Sequence, residues 1–356
     1  MQVVQPPRPE RVQKVFDEVA EQAGFGVALR ELFRWQVFSG FVLGDPWTEI
    51  PQHARSVHCA RYGITFELRW LPMRELRADR TALIQRGTMA DVPPEQLDDP
   101  DGNGRPCFLC PGNMRRQFPK ELLVGVNLAG NSYYLGANFA FLADNHFTVM
   151  HARHQPQVWK PHSAMAMLAL AEKAEGARVI WNAADAGASI PTHEHFQVST
   201  AAFPIERCLM RNARRVRSLN GADVWRLHYP TPAYVIEGSE AVQVAAACDE
   251  MVRQWQQRSP QNRENLIATG GPGGYRVFYF PRTAGKKAHP YLKKGDMASF
   301  ELGGVIVLSH HPRQGEGGIN EYETYVKATG DTVADLLAAI APQVPEFVSS
   351  EAAAYV

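Results

Sequence analysis

Residues 187–197 read GASIPTHEHFQ, and this stretch says more about the fold than any other part of the chain. On a β-strand, the side chains at positions 193, 195 and 197 would share one face, because the side-chain period of a strand is two. Two imidazoles and one amide would then point at one site. A neutral imidazole is a good nucleophile towards phosphorus, and a neighbouring amide can donate a hydrogen bond to a phosphoryl oxygen. For this motif alone, a strand whose inward histidines are merely hydrogen-bonded is an equal alternative.

The loop before this motif is rich in small residues. Residues 182–189 read NAADAGAS, a composition that lets the backbone approach an anion closely. We expect the backbone around Gly187 and the hydroxyl of Ser189 to bind phosphate, and Asn182 to bind phosphate or orient the nucleophile. Taken alone, the loop is more typical of an ordinary polar turn.

A second motif lies upstream, where Cys107-Phe-Leu-Cys110 is followed by Pro111 and Gly112. The CxxC spacing supplies two thiolates as a structural zinc site does, and zinc then needs two more ligands. A redox pair or two buried thiols are the alternatives. The candidate ligands are His146, His151, His154 and His193.

Composition restricts the class of protein. The chain has 356 residues, 45% apolar and 21% charged, which is the balance of a globular protein with a sizeable core. Lys plus Arg and Asp plus Glu are equal at 37 each, which argues against a global electrostatic grip on nucleic acid or an anionic membrane. No stretch approaches the roughly 20 apolar residues that span a bilayer, and the N-terminus has no signal-peptide pattern. We therefore predict a cytoplasmic protein without nucleic-acid or membrane partners.

Hydrophobic periodicity predicts an α+β fold with an antiparallel sheet covered by helices. The second half repeats the mixture of helix and strands in a different order, which fits a diverged duplication. The predicted helices lie at 10–21, 27–38, 162–175, 239–257 and near 331–341. The predicted strands lie at 64–71, 122–129, 139–152 (as strand–turn–strand), 177–182, 193–201, 265–271, 275–282 and 300–309.

The order CFLCPGN, then HxHFQ, resembles galactose-1-phosphate uridylyltransferase and its relatives in the histidine-triad superfamily. Those relatives include diadenosine tetraphosphate phosphorylase and the plant GDP-L-galactose phosphorylases. The chain is most similar to a bacterial group that carries RPCFLC, a strand ending in HFT and a GASxPxHxHFQ segment. The resemblance spans at least 105–197 and extends to FPR at 280–282 and ELGG at 301–304.

The resemblance implies a role for each matching residue. His195 takes up the nucleotidyl group, and Gln197 hydrogen-bonds the transferred phosphoryl. Asn182 belongs to the phosphate site, and Arg74 matches a substrate-contacting arginine, although Leu71 stands where that motif has Asn. The implied ligands of a structural zinc ion are Cys107, Cys110, His154 and His193.

Two further departures from the family pattern concern the phosphate loop and the nucleophile strand. Ser189 lies one position earlier than the family's serine, whose place is taken by Ile190, and Glu194 puts a charge where relatives carry Pro or an apolar residue. In the second half, Arg282 at a strand end is expected to bind the phosphates of a second substrate. Four lysines that follow could bind the same phosphates, and a solvated basic loop is the alternative explanation for them; they are Lys286, Lys287, Lys293 and Lys294.

The resemblance implies two histidine-triad-like halves, which we place at 61–235 and 236–356. It also implies an N-terminal helical extension, which we place at 1–60. It implies double displacement through a nucleotidyl-histidine, with a nucleoside diphosphate sugar or a dinucleoside polyphosphate as donor. Phosphate or a sugar phosphate would be the acceptor, and a homodimer the assembly. Hydrolysis of the same bond and nucleotide binding without catalysis are the alternative functions.

Overall fold

The computed structural model describes residues 6–208, 213–285, 292, 297–312 and 318–342. Within these ranges, short 3₁₀ turns lie at Pro9–Arg11, Pro72–Ala78, Pro94–Gln96 and Pro204–Arg207. The α-helices are α1 (Val12–Ala23), α2 (Phe25–Phe38), α3 (Pro46–His53), α4 (Arg80–Gln85), α5 (Pro111–Gln117), α6 (Ser163–Lys173), α7 (Ala241–Gln256), α8 (Ser299–Leu302), α9 (Glu321–Lys327) and α10 (Gly330–Ala339).

The strands form two sheets, one large and one small. Their bounds are β1 (Ala54–Cys59), β2 (Ile64–Trp70), β3 (Val124–Leu128), β4 (Asn131–Ala137), β5 (Phe147–His151), β6 (Arg178–Asn182), β7 (His195–Ser199), β8 (Arg214–Leu219), β9 (Ala222–Arg226), β10 (Tyr234–Gly238), β11 (Asn262–Thr269), β12 (Tyr275–Thr283) and β13 (Val305–Leu308).

The large sheet is built from two halves with the same strand order. Its ten strands run β3-β4-β5-β7-β6-β11-β12-β10-β9-β8, so that each half is a three-stranded meander, a helix and an antiparallel pair. The halves join where β6 pairs antiparallel with β11, with Asn182 opposite Asn265. The predicted α+β fold with two related halves is confirmed. The strand β12, which corresponds to β7, carries no histidine, so the second half offers no second imidazole at this place.

The large sheet separates two hydrophobic cores. Alternation along β6 sends Val179 and Trp181 into the core beneath α6 and α7, and sends Ile180 into the opposite core. The small sheet, of order β1-β2-β13, and α10 cover that opposite face. In the described part of the chain, no helix combines the length and the apolar character needed to cross a membrane.

Two errors of prediction concern the region between β3 and β5. Residues 131–137, which are not among the predicted strands, form β4; the turn before it is only Ala129 (φ 48°) and Gly130 (φ 81°), a pair with the positive φ values of a tight hairpin. Residues 139–146, expected to be a strand, form a loop whose ends meet through Asn138 N–H and the carbonyl of His146 (2.8 Å). The apolar side chains of this loop, such as Phe139 and Phe141, pack into the core rather than along a sheet.

Two further elements differ from prediction. Residues 300–302, expected to begin a strand, belong to α8, because the carboxylate of Glu301 accepts the N–H of Ala298 (2.9 Å) and caps the helix start. The strand predicted from 193 begins only at His195, because the N–H of Glu194 donates to the carbonyl of Gln155 (2.6 Å), which lies outside any strand. His193 therefore precedes the strand, and β1 was not predicted.

A buried carboxylate on β11 makes stability depend on pH. Glu264 is 1% exposed, and its oxygens accept from Trp181 Nε1 (3.1 Å) and Gln256 Nε2 (2.9 Å). Burial outweighs these hydrogen bonds and raises the pKa of Glu264 from 4.5 to about 7. Between these two values the unfolded chain gives up the proton while the folded chain keeps it, so folding is progressively disfavoured as the pH rises.

We therefore expect Glu264→Gln to be as stable as the wild-type protein near pH 4 and more stable at pH 8. The difference in the free energy of unfolding should grow between the two pKa values and reach about 3 kcal/mol. Urea unfolding at a series of pH values measures it, with the exposed Glu175→Gln as the control. A difference that does not change with pH would show that Glu264 is ionised throughout.

Candidate functional site

Four of the predicted metal ligands form one cluster. The ligand atoms of Cys107, Cys110, His154 and His193 all lie within 4.8 Å of one another. Cys107 Sγ lies 3.4 Å from Nδ1 of His193, and Cys110 Sγ lies 3.5 Å from Nδ1 of His154. A tetrahedral zinc ion with ordinary bond lengths would place sulfur and nitrogen ligands about 3.6 Å apart. The cluster can therefore hold a metal ion without rearrangement.

The outer nitrogens of the two histidines support the same conclusion. Nε2 of His193 lies 2.8 Å from the carbonyl of His151, and Nε2 of His154 lies 3.0 Å from Oδ1 of Asp101. Each acceptor draws the ring proton to Nε2 and leaves Nδ1 free for a cation, as is usual for metal-bound histidines. Burial and the adjacent Cys107 raise the pKa of Cys110 to about 12, so the Cys110 thiolate would form only with a bound cation.

The other two candidate histidines lie outside the cluster. Nδ1 of His151 accepts the N–H of Arg153 (3.1 Å), so this ring caps its own turn. His146 is fully buried, and its Nδ1 accepts the N–H of Leu142 (3.1 Å). Sequence spacing does not distinguish His146 or His151 from His154, because all three lie at or near the ends of β5.

His195 lines a cavity of about 450 Å³ on the face of the large sheet opposite α6. Its Nδ1 lies 2.8 Å from the carbonyl of His193, which can only accept, so Nδ1 carries the proton and Nε2 keeps a lone pair. Burial lowers the pKa of His195, so that the ring is neutral at pH 7. The ring is therefore in the protonation state that a nucleophile requires.

The main chain of His195 is clamped by the side chain of Gln157. Oε1 of Gln157 accepts the N–H of His195 (2.7 Å), and Nε2 donates to the carbonyls of His195 (3.0 Å) and Asn182 (2.8 Å). The ladder between β6 and β7 ends at the pair Ile180–Gln197, so the Gln157 amide takes the place of the next sheet hydrogen bonds. The sequence does not reveal this role, because a buried glutamine in a loop carries no pattern.

Gln197 faces the same cavity and is oriented by His146. With its Nδ1 accepting from the backbone, His146 presents Nε2–H to Oε1 of Gln197 at 3.4 Å. Burial, assisted by the charge of Arg74, lowers the pKa of His146 to about 3, so the ring stays neutral. The amide N–H₂ of Gln197 is thereby left to donate to a ligand.

Arg74 and Ser189 also line this cavity. The guanidinium of Arg74 donates to the carbonyls of Ala140 and Phe141. Burial lowers its pKa to about 9, which leaves it positively charged at pH 7. Gly187 has φ 110° and packs so closely against Ala298 that a Cβ would overlap it. A larger residue there would push the Ser189 loop away from its neighbour.

Asn182 and Arg282 are not among the residues that line the cavity. Oδ1 of Asn182 accepts from Nδ2 of Asn265 and the N–H of Ser299, both at 2.8 Å. Arg282 donates to Oδ1 of Asn265 (3.3 Å) and the carbonyl of Met297 (2.6 Å). Both belong to a buried polar network between the halves. The four lysines at 286, 287, 293 and 294, for which a solvated basic loop was the alternative to phosphate binding, lie outside the described residues.

Glu194, the departure from the family pattern, points away from the cavity. Its carboxylate is fully buried and accepts from Tyr133 Oη (2.9 Å), Gln155 Nε2 (3.0 Å) and Lys160 Nζ (2.8 Å). A buried carboxylate with this many donors is satisfied. It fixes the backbone between His193 and His195 from the side opposite the cavity.

Comparisons with known proteins find one family model and several solved structures that are similar to this chain. Residues 86–200, which contain both the thiols and the HxHxQ motif, match the family model of a domain of unknown function, DUF4922. No curated protein is significantly similar to the sequence. Among solved structures, yeast Ap4A phosphorylase in complex with AMP has a TM-score of 0.56 at 13% identity, covering 88% of this chain and 94% of that one.

Two other structures of the yeast Ap4A phosphorylase agree with this result. The complex with Ap4A has a TM-score of 0.55 at 12% identity and covers 88% of this chain and 96% of that one. A third structure has a TM-score of 0.51 at 13% identity and covers 96% of each chain. At such identities the likeness establishes that the fold is shared.

Proposed function

We propose that the protein transfers a nucleoside monophosphate group through a covalent intermediate on Nε2 of His195. The donor is a nucleoside diphosphate sugar or a dinucleoside polyphosphate, and the acceptor is phosphate or a sugar phosphate. The observation that carries the proposal is the neutral His195 ring, held at Nδ1 by the His193 carbonyl and lining a cavity with the amide of Gln197. The structures of yeast Ap4A phosphorylase with AMP and with Ap4A support a nucleotide as ligand.

In the first step, the lone pair on Nε2 forms a bond to the α-phosphorus. The bond from that phosphorus to the bridging oxygen breaks, and the leaving group takes the electron pair; it is a sugar phosphate from a nucleoside diphosphate sugar and a nucleoside polyphosphate from a dinucleoside polyphosphate. Positive charge on the ring is stabilised because Nδ1–H already donates to a carbonyl. The amide N–H₂ of Gln197 and the guanidinium of Arg74 are the donors available to the phosphoryl oxygens.

In the second step, an oxygen of the acceptor attacks the same phosphorus. The P–N bond breaks, its electron pair returns to Nε2, and His195 is restored. Two in-line displacements at one phosphorus require mostly positioning and electrostatic stabilisation, which fixed donors supply. We assign Ser189 and the backbone near Gly187 to the phosphates, and Asn182 and Arg282 to holding the two halves together around the site.

We propose zinc as the ion of the cluster, held by Cys107, Cys110, His154 and His193. Two thiolates and two imidazoles are a typical structural zinc set, and such an ion holds protein segments together without joining the reaction. His193 contributes its side chain to the cluster and its carbonyl to Nδ1 of His195. The cluster thus positions the proposed nucleophile.

The proposal is tested by incubating the protein with nucleoside diphosphate sugars and dinucleoside polyphosphates and measuring its intact mass. We expect one donor class to add the mass of one nucleoside monophosphate to the protein. Labelled phosphate then distinguishes the second step: label in a new nucleoside diphosphate shows phosphorolysis, and its absence with continued turnover shows hydrolysis. Nucleotide binding without any adduct or turnover would leave a binding protein and refute the proposal.

The clamp by Gln157 gives a separate prediction. Gln157→Leu has a similar volume but leaves the N–H of His195 and two carbonyls without partners. We expect kcat to fall by about 10–100-fold with KM little changed, and the free energy of unfolding to fall by about 2–4 kcal/mol. Steady-state kinetics and urea unfolding measure the two effects, with the exposed Gln52→Leu as control. Unchanged kcat would mean that β7 keeps its position without the clamp.

A further inference from the structure

The cavity that contains His195 also contains an acidic side chain that nothing in the proposed reaction uses. Glu121 lies just before β3, is 5% exposed and lines the same cavity as His195 and Gln197. Among the described residues, neither of its carboxylate oxygens has a hydrogen-bond partner. Within the described residues, Glu121 makes its only hydrogen bond through the backbone, where its N–H donates to the carbonyl of Phe118 (2.9 Å).

The fold makes room for this carboxylate. A Cβ on Gly136 would overlap Oε1 of Glu121, so the side chain occupies the space that a larger residue on β4 would fill. Gly136 pairs with Thr148, and Thr148 pairs with Gln197, so the carboxylate lies two strands away from Gln197. Two strand spacings amount to about 10 Å.

The carboxyl group is costly where it stands. Burial raises the pKa of Glu121 well above its usual range, and the charge of Arg115 only partly opposes this. Buried polar groups in folded proteins almost always have partners, and those that lack one are concentrated at sites that meet a ligand. The surrounding wall is apolar and suited to a flat ring; it includes Phe108, Leu109, Met114, Phe139 and Ile190.

We propose that Glu121 binds the N1–H and N2–H groups of a guanine base while the phosphate of the same nucleotide lies at His195. This inference rests on the proposed function and names its substrate class. When ionised, the Glu121 carboxylate offers two acceptors side by side, and no described residue donates to either. Two N–H donors from a bound base would favour this ionised form, which burial disfavours in the free protein. Guanine presents two adjacent N–H donors on one edge, whereas adenine, uracil and cytosine present a donor beside an acceptor, which a glutamine would match without burying a charge.

The distance along the sheet favours the base over the ribose. A ribose diol also offers two donors to a carboxylate, but the ribose is joined to the transferred phosphorus through C5′ and must stay beside His195 and Gln197. The base lies further from the phosphorus, as Glu121 lies two strands further along the cavity. Apolar side chains that can cover the faces of a base line the same cavity.

Calorimetric titration of the full-length protein with GMP, IMP, AMP and 2′-deoxy-GMP tests the inference. We expect GMP to bind about 100-fold more tightly than AMP, and IMP, which lacks the 2-amino group, about tenfold more weakly than GMP. Removal of the 2′-hydroxyl should have little effect. Glu121→Gln should weaken GMP binding by about 100-fold and leave AMP binding unchanged or improved, while the exposed Glu95→Gln should behave as wild type.

A second variant distinguishes base recognition by Glu121 from a purely structural role. Because the carboxyl has no partner among the described residues, Glu121→Met should raise the melting temperature by a few degrees while abolishing the preference for GMP. Equal losses for all nucleotides in Glu121→Gln, or a loss with 2′-deoxy-GMP as large as that caused by Glu121→Gln, would overturn the base assignment. A nucleotidyl adduct on His195 with no guanine preference would refute this inference alone. Failure of every nucleotide to bind or form an adduct would refute the proposed function as well.

Discussion

His195→Asn is expected to lower the rate of nucleotidyl transfer by about 10⁴-fold or more, because asparagine offers no nucleophilic nitrogen to phosphorus. The side chain is 5% exposed and its removal leaves Gln157 bound to the backbone of residue 195, so the fold should persist. Rapid-quench kinetics with the donor identified by the adduct screen measures the rate, and intact mass measures the adduct, which should be absent.

The control for this experiment is an exposed histidine. His58 lies on β1 and is not among the residues that line the cavity, so His58→Asn should keep both rate and adduct. Circular dichroism and the melting temperature of His195→Asn should match those of the wild-type protein. A variant that folds normally and still turns over at the wild-type rate would place the chemistry on another residue and remove the basis of the mechanism.

Cys107→Ser is expected to abolish metal binding and lower the free energy of unfolding by roughly 5 kcal/mol. The cluster joins the turn before α5, the loop after β5 and the segment that leads into β7, so its loss releases three segments at once. Activity should fall as well, because the carbonyl that holds Nδ1 of His195 belongs to His193. Metal analysis, thermal unfolding and kinetics on the same preparation measure the three effects.

Cys208→Ser serves as the control, since Cys208 is also partly buried but lies outside the cluster. It should retain about one zinc ion per chain. Recovery of stability in the wild-type protein after chelation and readdition of zinc would link the metal to folding. A wild-type preparation that contains a disulfide between Cys107 and Cys110 and no metal would contradict the assignment.

The main elements of the fold could be predicted from local patterns. The helices near 10–21, 162–175 and 239–257 were predicted within a few residues because their apolar positions recur at helical spacing. Prediction failed where apolar residues belong to a loop. Residues 139–146 contain the apolar pattern of a strand, but Phe139 and Phe141 pack into the hydrophobic core from a loop. Local hydrophobicity reports burial and does not report which surface buries the residue.

The candidate site shows the same division. The sequence by itself determined which side chains can do the chemistry, since the CxxC pair and the HxHxQ spacing name their own residue types. The tertiary structure alone decided which histidine, 154 or 151, joins the thiols, because that depends on the direction each ring takes after β5. It also decided that Gln157 holds the backbone of His195, that His146 contacts Gln197 and that Glu121 lines the cavity, because β4, β5 and β7 meet only through pairing between distant segments. Spacing along a chain fixes neighbours within one element, whereas hydrogen bonds and charges act through space.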